Sequence, residues 1–491
     1  MKNIIYFLFC IISLPNNILA QNNSYLDTTP ILSGNIIDQN NTPLPYVNII
    51  SLNTGKGTIS NTDGDFSINI HPLNDTNIIR FQCIGYTTKE HKIKDLRQSP
   101  TILLSENIYS LDEVLILGTI PDARKIIRNI LKNKDINYNI INKKKQAFIR
   151  ERSTVDILKL KLGYNKNNIE VITPEMLQLV EKHTPRNIQS YSDLLTNIYI
   201  KKDQLKINPI KLVALKGKNV KQLEMLGDTF TKLIKDTEDN EYWRVKTGII
   251  GTKIPPANND SLETNTSNKK NTKEYKYKAK KSLEFATFEN KQQWEFLYKI
   301  DKYNFEIIGG TSINNENVYV IDFSPKEKGL YEGRLYVSIE TSALIKADYK
   351  YAPDKLGIDA KLFGFSQTNT NFTGSIYFEK DKNNYNLKYL SFEDNNKYGV
   401  KRKVALQKKK KRFLMNKKLK EIEISVDLIM EEKASIELLI IDHSKISVSE
   451  FDNITEKKHI NITYVNQFNK DLWKRHITIE PTKEMREYQD K

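Results

Sequence analysis

The sequence predicts a mainly β protein: a seven-stranded β-sandwich, then an α+β region that leads into an antiparallel β-rich domain. Two observations carry this prediction. Short strand patterns recur roughly every eight to twelve residues between residues 31 and 104, a spacing typical of a sandwich. From Tyr303 onward, apolar and polar residues alternate with the period of two that marks half-buried strands.

The first 20 residues have the features of an export signal. Lys2 supplies a positive charge, and residues 4–14 form an apolar run that is too short to span a bilayer. The run ends in Asn17-Ile18-Leu19-Ala20, which resembles a signal peptidase site. Cys10 lacks the small neighbours of a lipoprotein site, so we expect no lipid anchor there. This predicts an exported protein that is periplasmic or associated with the outer membrane.

Residues 28–108 carry the sandwich prediction. Strand patterns occur at residues 31–38, 46–52, 57–60, 66–70, 77–83, 87–93 and 101–104. Asp63-Gly64 is a strong hairpin signal, because glycine accepts a positive φ angle without a Cβ clash. Asn61, Asp63 and Asp65 are spaced like calcium ligands, but the bidentate glutamate of a calcium loop does not follow. We therefore predict a turn here.

The motif order in this region carries a family resemblance. Pro43-Leu44-Pro45-Tyr46-Val47 precedes Asn61-Thr62-Asp63-Gly64-Asp65-Phe66, and Ile84-Gly85-Tyr86 follows. This order resembles a carboxypeptidase-regulatory-like domain, a β-sandwich of the transthyretin type. The resemblance implies an accessory module without peptidase chemistry. In Gram-negative envelopes such a module often precedes a TonB-dependent receptor or a member of a family of uncharacterised envelope proteins.

Later motifs are similar to that uncharacterised envelope family. They are Asp122-Ala123-Arg124-Lys125-Ile126-Ile127, Phe148-Ile149-Arg150-Glu151 and the closing stretch at residues 479–488. Longer relatives continue into a large C-terminal β region. The resemblance implies a role in the cell envelope and names no specific activity.

Residues 109–252 predict a mixed α/β connecting region. After Pro121, apolar residues at positions 123, 126, 127, 130 and 131 follow the spacing of an amphipathic helix. Thr173 precedes Pro174 as a helix cap, and residues 223–233 suggest another helix. Residues 253–281 are polar and contain Pro255-Pro256, so they predict a flexible loop.

Residues 282–491 predict the antiparallel β-rich domain. Strand alternation covers residues 317–323, 333–339, 344–351 and 422–428. This pattern is similar to the half-barrels of lipoprotein carriers, which cradle acyl chains, and it also fits any curved antiparallel sheet. Glu421 and Glu423 lie on one strand face and are expected to be solvent-exposed.

The formal net charge of +16 favours an anionic counter-surface. Behind an export signal, lipid headgroups or acidic glycans are the expected partners, and nucleic acid is not. The densest basic cluster is the predicted contact with such a surface: Lys401, Arg402, Lys403, Lys408, Lys409, Lys410, Lys411 and Arg412. The alternative is a hairpin end that lysines keep soluble.

No catalytic, metal or cofactor site is predicted. The six histidines show no metal-ligand spacing and no zinc peptidase motif. Cys83 lies on a strand pattern and is expected to be a small buried side chain. We therefore expect a non-catalytic envelope protein that binds a lipid, a glycan or a protein partner in outer-membrane assembly or transport. The alternative is a hydrolase of envelope polymers whose carboxylates meet only in the fold.

Overall fold

The protein is described by a computed structural model. The described residues are 31–69, 74–109, 121–138, 142–169, 172–215, 237–248, 250–254, 269–412, 416–468 and 470–488. The predicted export signal and the predicted helix at residues 223–233 lie outside them. None of the described helices is both long enough and apolar enough to cross a membrane.

The first domain is the predicted sandwich. Its elements are β1 (Ile31–Asp38), β2 (Asn48–Ser51), β3 (Gly57–Ile59), β4 (Asp65–Asn69), β5 (Ile78–Gln82), β6 (Lys89–Lys92), α1 (Ile93–Gln98) and β7 (Thr101–Leu104). One sheet has the order β4-β1-β7 and the other β3-β2-β5-β6. Ile36, Phe66 and Phe81 are buried between them, as is Cys83. The alternation of apolar residues in the sequence therefore places these side chains between the two layers.

The rest of the described chain contains seven helices and fifteen strands. The helices are α2 (Ala123–Lys132), α3 (Lys134–Asn137), α4 (Pro174–His183), α5 (Thr272–Ala286), α6 (Glu295–Tyr298), α7 (Val448–Asn453) and α8 (Lys483–Glu487). The strands are β8 (Lys143–Asn167), β9 (Asn187–Lys201), β10 (Gln204–Leu215), β11 (Glu241–Thr247), β12 (Ile250–Lys253), β13 (Lys269–Asn271), β14 (Tyr303–Ile313), β15 (Glu316–Pro325), β16 (Tyr331–Ser338), β17 (Leu344–Tyr351), β18 (Asp359–Leu362), β19 (Phe365–Asp381), β20 (Asn384–Lys410), β21 (Lys417–Lys445) and β22 (His459–Val465).

These strands form one large, mostly antiparallel sheet. Its main order is β13-β22-β10-β9-β8-β21-β20-β19-β17-β16-β15-β14, and outside this order β11 pairs with β20, β12 with β11 and β18 with β19. The predicted boundary between residues 109–252 and 282–491 does not follow this sheet. Strand β8, from the first range, pairs with β21, from the second, along almost its whole length. The two ranges therefore share one sheet, because pairing over long sequence separations is not visible in local patterns.

The two faces of the sheet are covered by different elements. Helices α2, α5 and α6 pack on one face, which we call the helix side, and bury residues such as Ile127, Ala279 and Phe296. The sandwich and the C-terminal segment pack on the other, the sandwich side, where Ile59 and Met485 join Phe148 in one cluster. The buried face of α2 confirms the predicted amphipathic helix.

The predicted flexible loop at residues 253–281 is wrong over its C-terminal part. Residues 269–271 form β13, and α5 begins at Thr272. The side chain of Asn271 caps this helix by accepting a hydrogen bond from Lys273 N at 2.9 Å. Tyr275 and Ala279 are buried, so a narrow apolar stripe stabilises a helix that is otherwise polar. Residues 255–268 of the predicted loop lie outside the described residues.

The C-terminal segment joins the sandwich to the sheet. Thr58 Oγ1 donates to Thr478 O at 2.6 Å, and Arg486 Nη2 lies 2.6 Å from Asp65 Oδ2. The predicted turn is confirmed, because Asn61 Oδ1 accepts hydrogen bonds from the backbone N–H groups of Asp63 and Asp65 at 2.9 Å each. The acidic side chains of this turn therefore bind the C-terminal segment of the same chain.

A buried ion pair stabilises the same junction. Arg150 on β8 and Asp193 on β9 form two hydrogen bonds of 2.8 Å, and both side chains have 0 % exposure. Arg150 Nη1 also donates to Glu480 O at 2.9 Å. This bidentate geometry satisfies the charges in a place that water does not reach.

Candidate functional site

Two cavities lie on opposite faces of the sheet. The sandwich-side groove has a volume of about 770 Å³ and runs between the sandwich residues Tyr46 and Thr62 and the strands below them. The helix-side cavity has a volume of about 670 Å³ and lies between the sheet, α5 and the segment that follows α5. Either cavity is large enough for a small organic ligand.

The sandwich-side groove is lined by charged side chains that already pair with one another. Arg334 forms a bidentate pair with Asp322, with distances of 2.6 and 2.9 Å. Lys346 Nζ lies 2.8 Å from Asp348 Oδ2, and Ser375 Oγ donates to Asp348 Oδ1 at 2.6 Å. Burial alone would lower the pKa of Lys346, but Asp348 outweighs it and the pKa is raised. These pairs neutralise Asp322 and Asp348, whereas Arg152 in the same lining donates to Ser435 Oγ at 2.9 Å and forms no ion pair within the described residues.

The helix-side cavity has an aromatic wall. Its rings belong to Phe285, Tyr331, Tyr351, Phe372, Phe392 and Tyr398. Tyr331 on β16 pairs directly with Tyr351 on β17, with ring centroids 5.4 Å apart. The ring of Phe285 on α5 lies 4.5 Å from that of Phe392. Side chains two residues apart on a strand share a face, so neighbouring strands build one continuous aromatic surface.

Amide and carboxyl groups complete the helix-side cavity. Asn369 Nδ2 donates to Asn396 Oδ1 at 3.1 Å, and Asn396 Nδ2 donates to Asp394 Oδ2 at 2.7 Å. Gln292 and Gln293, in the segment after α5, line the opposite wall. The cavity therefore combines flat apolar surfaces with fixed hydrogen-bond donors and acceptors.

Asp394, which lines this cavity, and Glu432, which lies behind the lining residue Ser153, have raised pKa values. Burial raises the pKa of Asp394, and the hydrogen bond from Asn396 opposes this effect. Burial also raises the pKa of Glu432, and the nearby charge of Asp394 adds to it against the hydrogen bond from Ser153. In the strand register Asp394 lies opposite Ala434 and Asn396 lies opposite Glu432. The two acids are thus diagonal neighbours on one face.

The comparisons with known proteins identify the first domain. Residues 32–116 match the family model of the CarboxypepD_reg-like domain. This region is a CarboxypepD_reg-like domain. A segment of a TonB-dependent receptor of Formosa agariphila is 33% identical to this chain over 87 residues, which cover 18% of this chain and 8% of the receptor. The match thus spans less than a tenth of the receptor.

Solved structures give only remote likeness. A domain from Vibrio parahaemolyticus, described as an outer membrane lipoprotein-sorting protein, aligns with 67% of this chain and 97% of its own, at 8% identity and a TM-score of 0.21. The MucA/MucB complex of Pseudomonas aeruginosa aligns with 63% of this chain and 94% of the matched chain, at 7% identity and a TM-score of 0.15. TM-scores this low support no conclusion about a shared fold or partner.

The predicted basic cluster is divided by the structure. Lys401 and Lys403 are exposed, and the guanidinium of Arg402 lies 4.9 Å from the ring centroid of Phe365. Lys408 is the exception to the predicted surface role, since its side chain is buried and its Nζ lies 2.8 Å from Glu241 Oε2. A charge held in this way is not accessible to a membrane or a glycan.

The remaining basic residues of the cluster lie near the end of the β20–β21 hairpin. Lys409 and Lys410 are half-buried, whereas Lys411 and Arg412 are exposed. Lys410 Nζ lies 3.2 Å from Glu238 Oε2. Residues 413–415 lie outside the described residues. The cluster therefore does not form one continuous basic surface.

The expected exposure of Glu421 is wrong. This residue is buried, and its carboxylate accepts hydrogen bonds from Gln407 and Lys418 at 2.5 Å each. The hydrogen bond from Lys418, with help from Gln407 and Lys166, lowers its pKa to about 2. Strands β8 and β20 flank β21 here, so Glu421 lies inside the sheet and not at an open edge.

Sequence reasoning missed the helix-side cavity. A partial signal existed, because Tyr351 ends a predicted strand, whereas Tyr331, Phe372 and Phe392 lie outside the predicted strand patterns. The register between these strands decides whether such side chains share a face, and a single sequence does not state the register. No group of three or more potential metal ligands was found within the described part of the chain.

Proposed function

We propose that this protein is an exported, non-catalytic envelope protein that binds a glycan in the helix-side cavity. The predicted export signal and the CarboxypepD_reg-like domain support the envelope setting. The local similarity to a TonB-dependent receptor agrees with it. A role in outer-membrane assembly or transport follows as the setting in which such a binding protein would act.

The lining of the cavity carries the proposal. Sugar rings present apolar C–H faces, which pack against aromatic rings, and hydroxyl groups, which need fixed donors and acceptors. Phe372 and Tyr398 offer the first kind of surface, while Asn369 and Asn396 offer the second. These amides already hydrogen-bond to one another and to Asp394, and an acyl chain would make no use of the hydrogen-bonding capacity that remains on their oxygen and nitrogen atoms. The cavity therefore favours a glycan over a lipid tail.

The experiment is saturation-transfer NMR with soluble oligosaccharides of neutral hexoses, N-acetylhexosamines and hexuronic acids. We expect binding by the wild-type chain and about tenfold weaker binding, or about 1.4 kcal/mol, for Asn396→Ala. Tyr398→Ala should have a similar effect through loss of ring contact. Ser391→Ala is the matched control, since Ser391 lies on the same strand but lines the sandwich-side groove.

Native mass spectrometry with lipid extraction distinguishes a glycan-binding protein from a lipid carrier. Protein that purifies from the envelope with a bound acyl lipid, displaced by Phe392→Trp but not by Ser391→Ala, would replace the glycan proposal with a lipid carrier. Binding of oligosaccharides by wild type and Asn396→Ala with equal affinity would reject the helix-side cavity as the glycan site.

A hydrolase is the second candidate, and the pair Asp394 and Glu432 favours it. A carboxyl group with a raised pKa holds its proton at higher pH, as a general acid must. Ser153, which lines the cavity, donates to Glu432 Oε1 at 3.2 Å. The test is to measure whether the protein releases reducing ends from a bound oligosaccharide. Release by the wild type, with none in Asp394→Asn and Glu432→Gln although both still bind the oligosaccharide, would show that the protein is a hydrolase.

A further inference from the structure

Four exposed apolar side chains cluster beside the mouth of the helix-side cavity. Leu356 is 46% exposed, Ile358 47%, Leu362 55% and Phe363 65%. We call these four residues the apolar rim. Among the described residues, no other stretch of eight holds more than two large exposed apolar side chains. Clusters of this kind mark contact surfaces, whereas scattered exposed residues do not.

The backbone at the end of the rim has an unusual residue. Phe363 and Gly364 form the two-residue turn between β18 and β19, with φ angles of +49° and +74°. Turns of this type favour Asn-Gly, because a side chain at positive φ is strained. A large apolar residue at this position does not help the hairpin fold. Its placement in solvent therefore points to a role outside folding.

Basic residues lie next to this turn. Lys401 N donates to Gly364 O at 2.8 Å, which fixes the start of the basic run at residues 401–403 against the turn. Lys361 and Lys401 are exposed. Lys401 lies opposite Asp427 in the strand register, and Lys159 pairs with that carboxylate at 2.6 Å. Lys403 is also exposed, with Glu423 at 3.6 Å.

Acidic residues do not cancel this charge. Asp354 and Asp359 are balanced by Lys355 and Lys361 within residues 354–364. The basic run at residues 401–403 faces Asp427 and Glu423, and Lys159 also pairs with Asp427, so the cations outnumber the carboxylates beside the turn. The rim therefore combines apolar side chains that lack a partner with adjacent cations, which matches the two layers of an anionic membrane interface.

We propose that the apolar rim inserts into the surface of an anionic lipid bilayer, with Lys361, Lys401 and Lys403 at the headgroups. Phe363 and Leu362 enter the boundary between headgroups and acyl chains. Gly357 and Ile358 line the helix-side cavity, so this contact turns the cavity mouth towards the membrane. The proposal does not depend on what the cavity binds.

The test places a fluorescent reporter at the turn. The three tryptophans of the chain, Trp243, Trp294 and Trp473, have exposures of 2%, 0% and 4%, so they are shielded from lipid. In Phe363→Trp, emission should be quenched by vesicles of brominated phosphatidylglycerol. In Leu103→Trp, where the reporter is on strand β7 of the sandwich and 42% exposed before substitution, emission should be unchanged.

Vesicle flotation gives an independent measurement. Leu362→Ser/Phe363→Ser should float several-fold less with phosphatidylglycerol vesicles than the wild type, and neither protein should float with phosphatidylcholine alone. All variants carry the same N-terminal residues, so any membrane affinity of the apolar run at residues 4–14 contributes equally. Circular dichroism verifies that each variant is folded.

Two results would overturn the proposal. In the first, Phe363→Trp binds vesicles but its emission is quenched no more than that of Leu103→Trp. In the second, the wild type and Leu362→Ser/Phe363→Ser float with phosphatidylglycerol vesicles to the same extent. The oligosaccharide titration uses no membrane, so failure of this proposal and failure of the glycan proposal are separate outcomes.

Discussion

The two faces of the large sheet hold cavities of similar volume and opposite electrostatic character. In the sandwich-side groove, Asp322 and Asp348 each lie beside a cation. At the helix-side cavity, burial raises the pKa values of Asp394 and Glu432. A carboxylate whose charge is paired contributes to the fold, whereas one held in an aromatic cavity with a raised pKa is typical of a binding or catalytic site. This difference supports our proposal that the helix side is the functional face.

The largest expected effect on stability comes from the buried ion pair between Arg150 and Asp193 on the sandwich side. Asp193→Ala leaves Arg150 buried without its counter-charge, so we expect it to lower the free energy of unfolding by about 3–5 kcal/mol. Urea unfolding monitored by circular dichroism measures this change. The double variant Arg150→Met/Asp193→Leu removes both charges and should recover most of the loss. A cost below about 1 kcal/mol for the single variant would contradict the assigned role of this pair.

One substitution applied to both faces tests the comparison directly. Asp348→Asn leaves the half-buried Lys346 without its anion and should lower stability at neutral pH by about 1–2 kcal/mol, since solvent screens the partly exposed Asp348. Asp394→Asn should raise stability, because burial disfavours the ionised form of this carboxyl group. Thermal and urea unfolding of the two variants would show the opposite signs. Stability changes of the same sign in both variants would contradict the proposed difference between the two cavities.

The pH dependence of the Asp394 effect has a defined direction. Since its folded-state pKa is raised, the folded protein holds this proton more tightly than the unfolded chain. Ionised Asp394 therefore destabilises the folded protein as pH rises above the ordinary pKa of 3.8, and this destabilisation is absent below that pH. The stability gain of Asp394→Asn should accordingly vanish in acid, and a gain that persists there would have another cause.

Glu421 provides an effect of opposite sign to that of Asp394. Its pKa is lowered to about 2, so its ionised form stabilises the fold above pH 4.5. This contribution is lost as pH falls towards 2, and we expect a loss of about 1–2 kcal/mol. Glu421→Gln should be less stable than the wild type at neutral pH and should lack this acid-dependent step. Unfolding curves between pH 2 and pH 6 that run parallel for both proteins would contradict the ion-pair account.

The parts of the fold that depend on local patterns could be predicted, and the parts that depend on register could not. The seven strands of the sandwich and the buried face of α2 follow from side-chain periodicity, as Ile126, Ile127 and Ile130 show. The pairing of β8 with β21 joins residues 143 and 445. No local signal specifies a contact over such a sequence distance.

The candidate site depends on these long-range pairings. Asp394 and Glu432 come from different strands. Phe285 reaches the cavity from α5, a helix that begins inside the predicted loop and ends inside the predicted β-rich domain. The alternation of residues along β21 predicts a solvent-exposed Glu421, because the sequence does not show which strands pair on either side of β21. The residues of the cavity thus become apparent only when the sheet is assembled.

A crystal structure with the oligosaccharide that gives the strongest NMR signal tests the central claim most directly. We predict that a sugar ring lies against Phe372 or Tyr398 on the helix side, with a hydroxyl group within hydrogen-bond distance of Asn396. The sandwich-side groove should contain no sugar at the same ligand concentration. A sugar bound between Tyr46 and Arg334 with the helix-side cavity empty would contradict the assignment of the functional face.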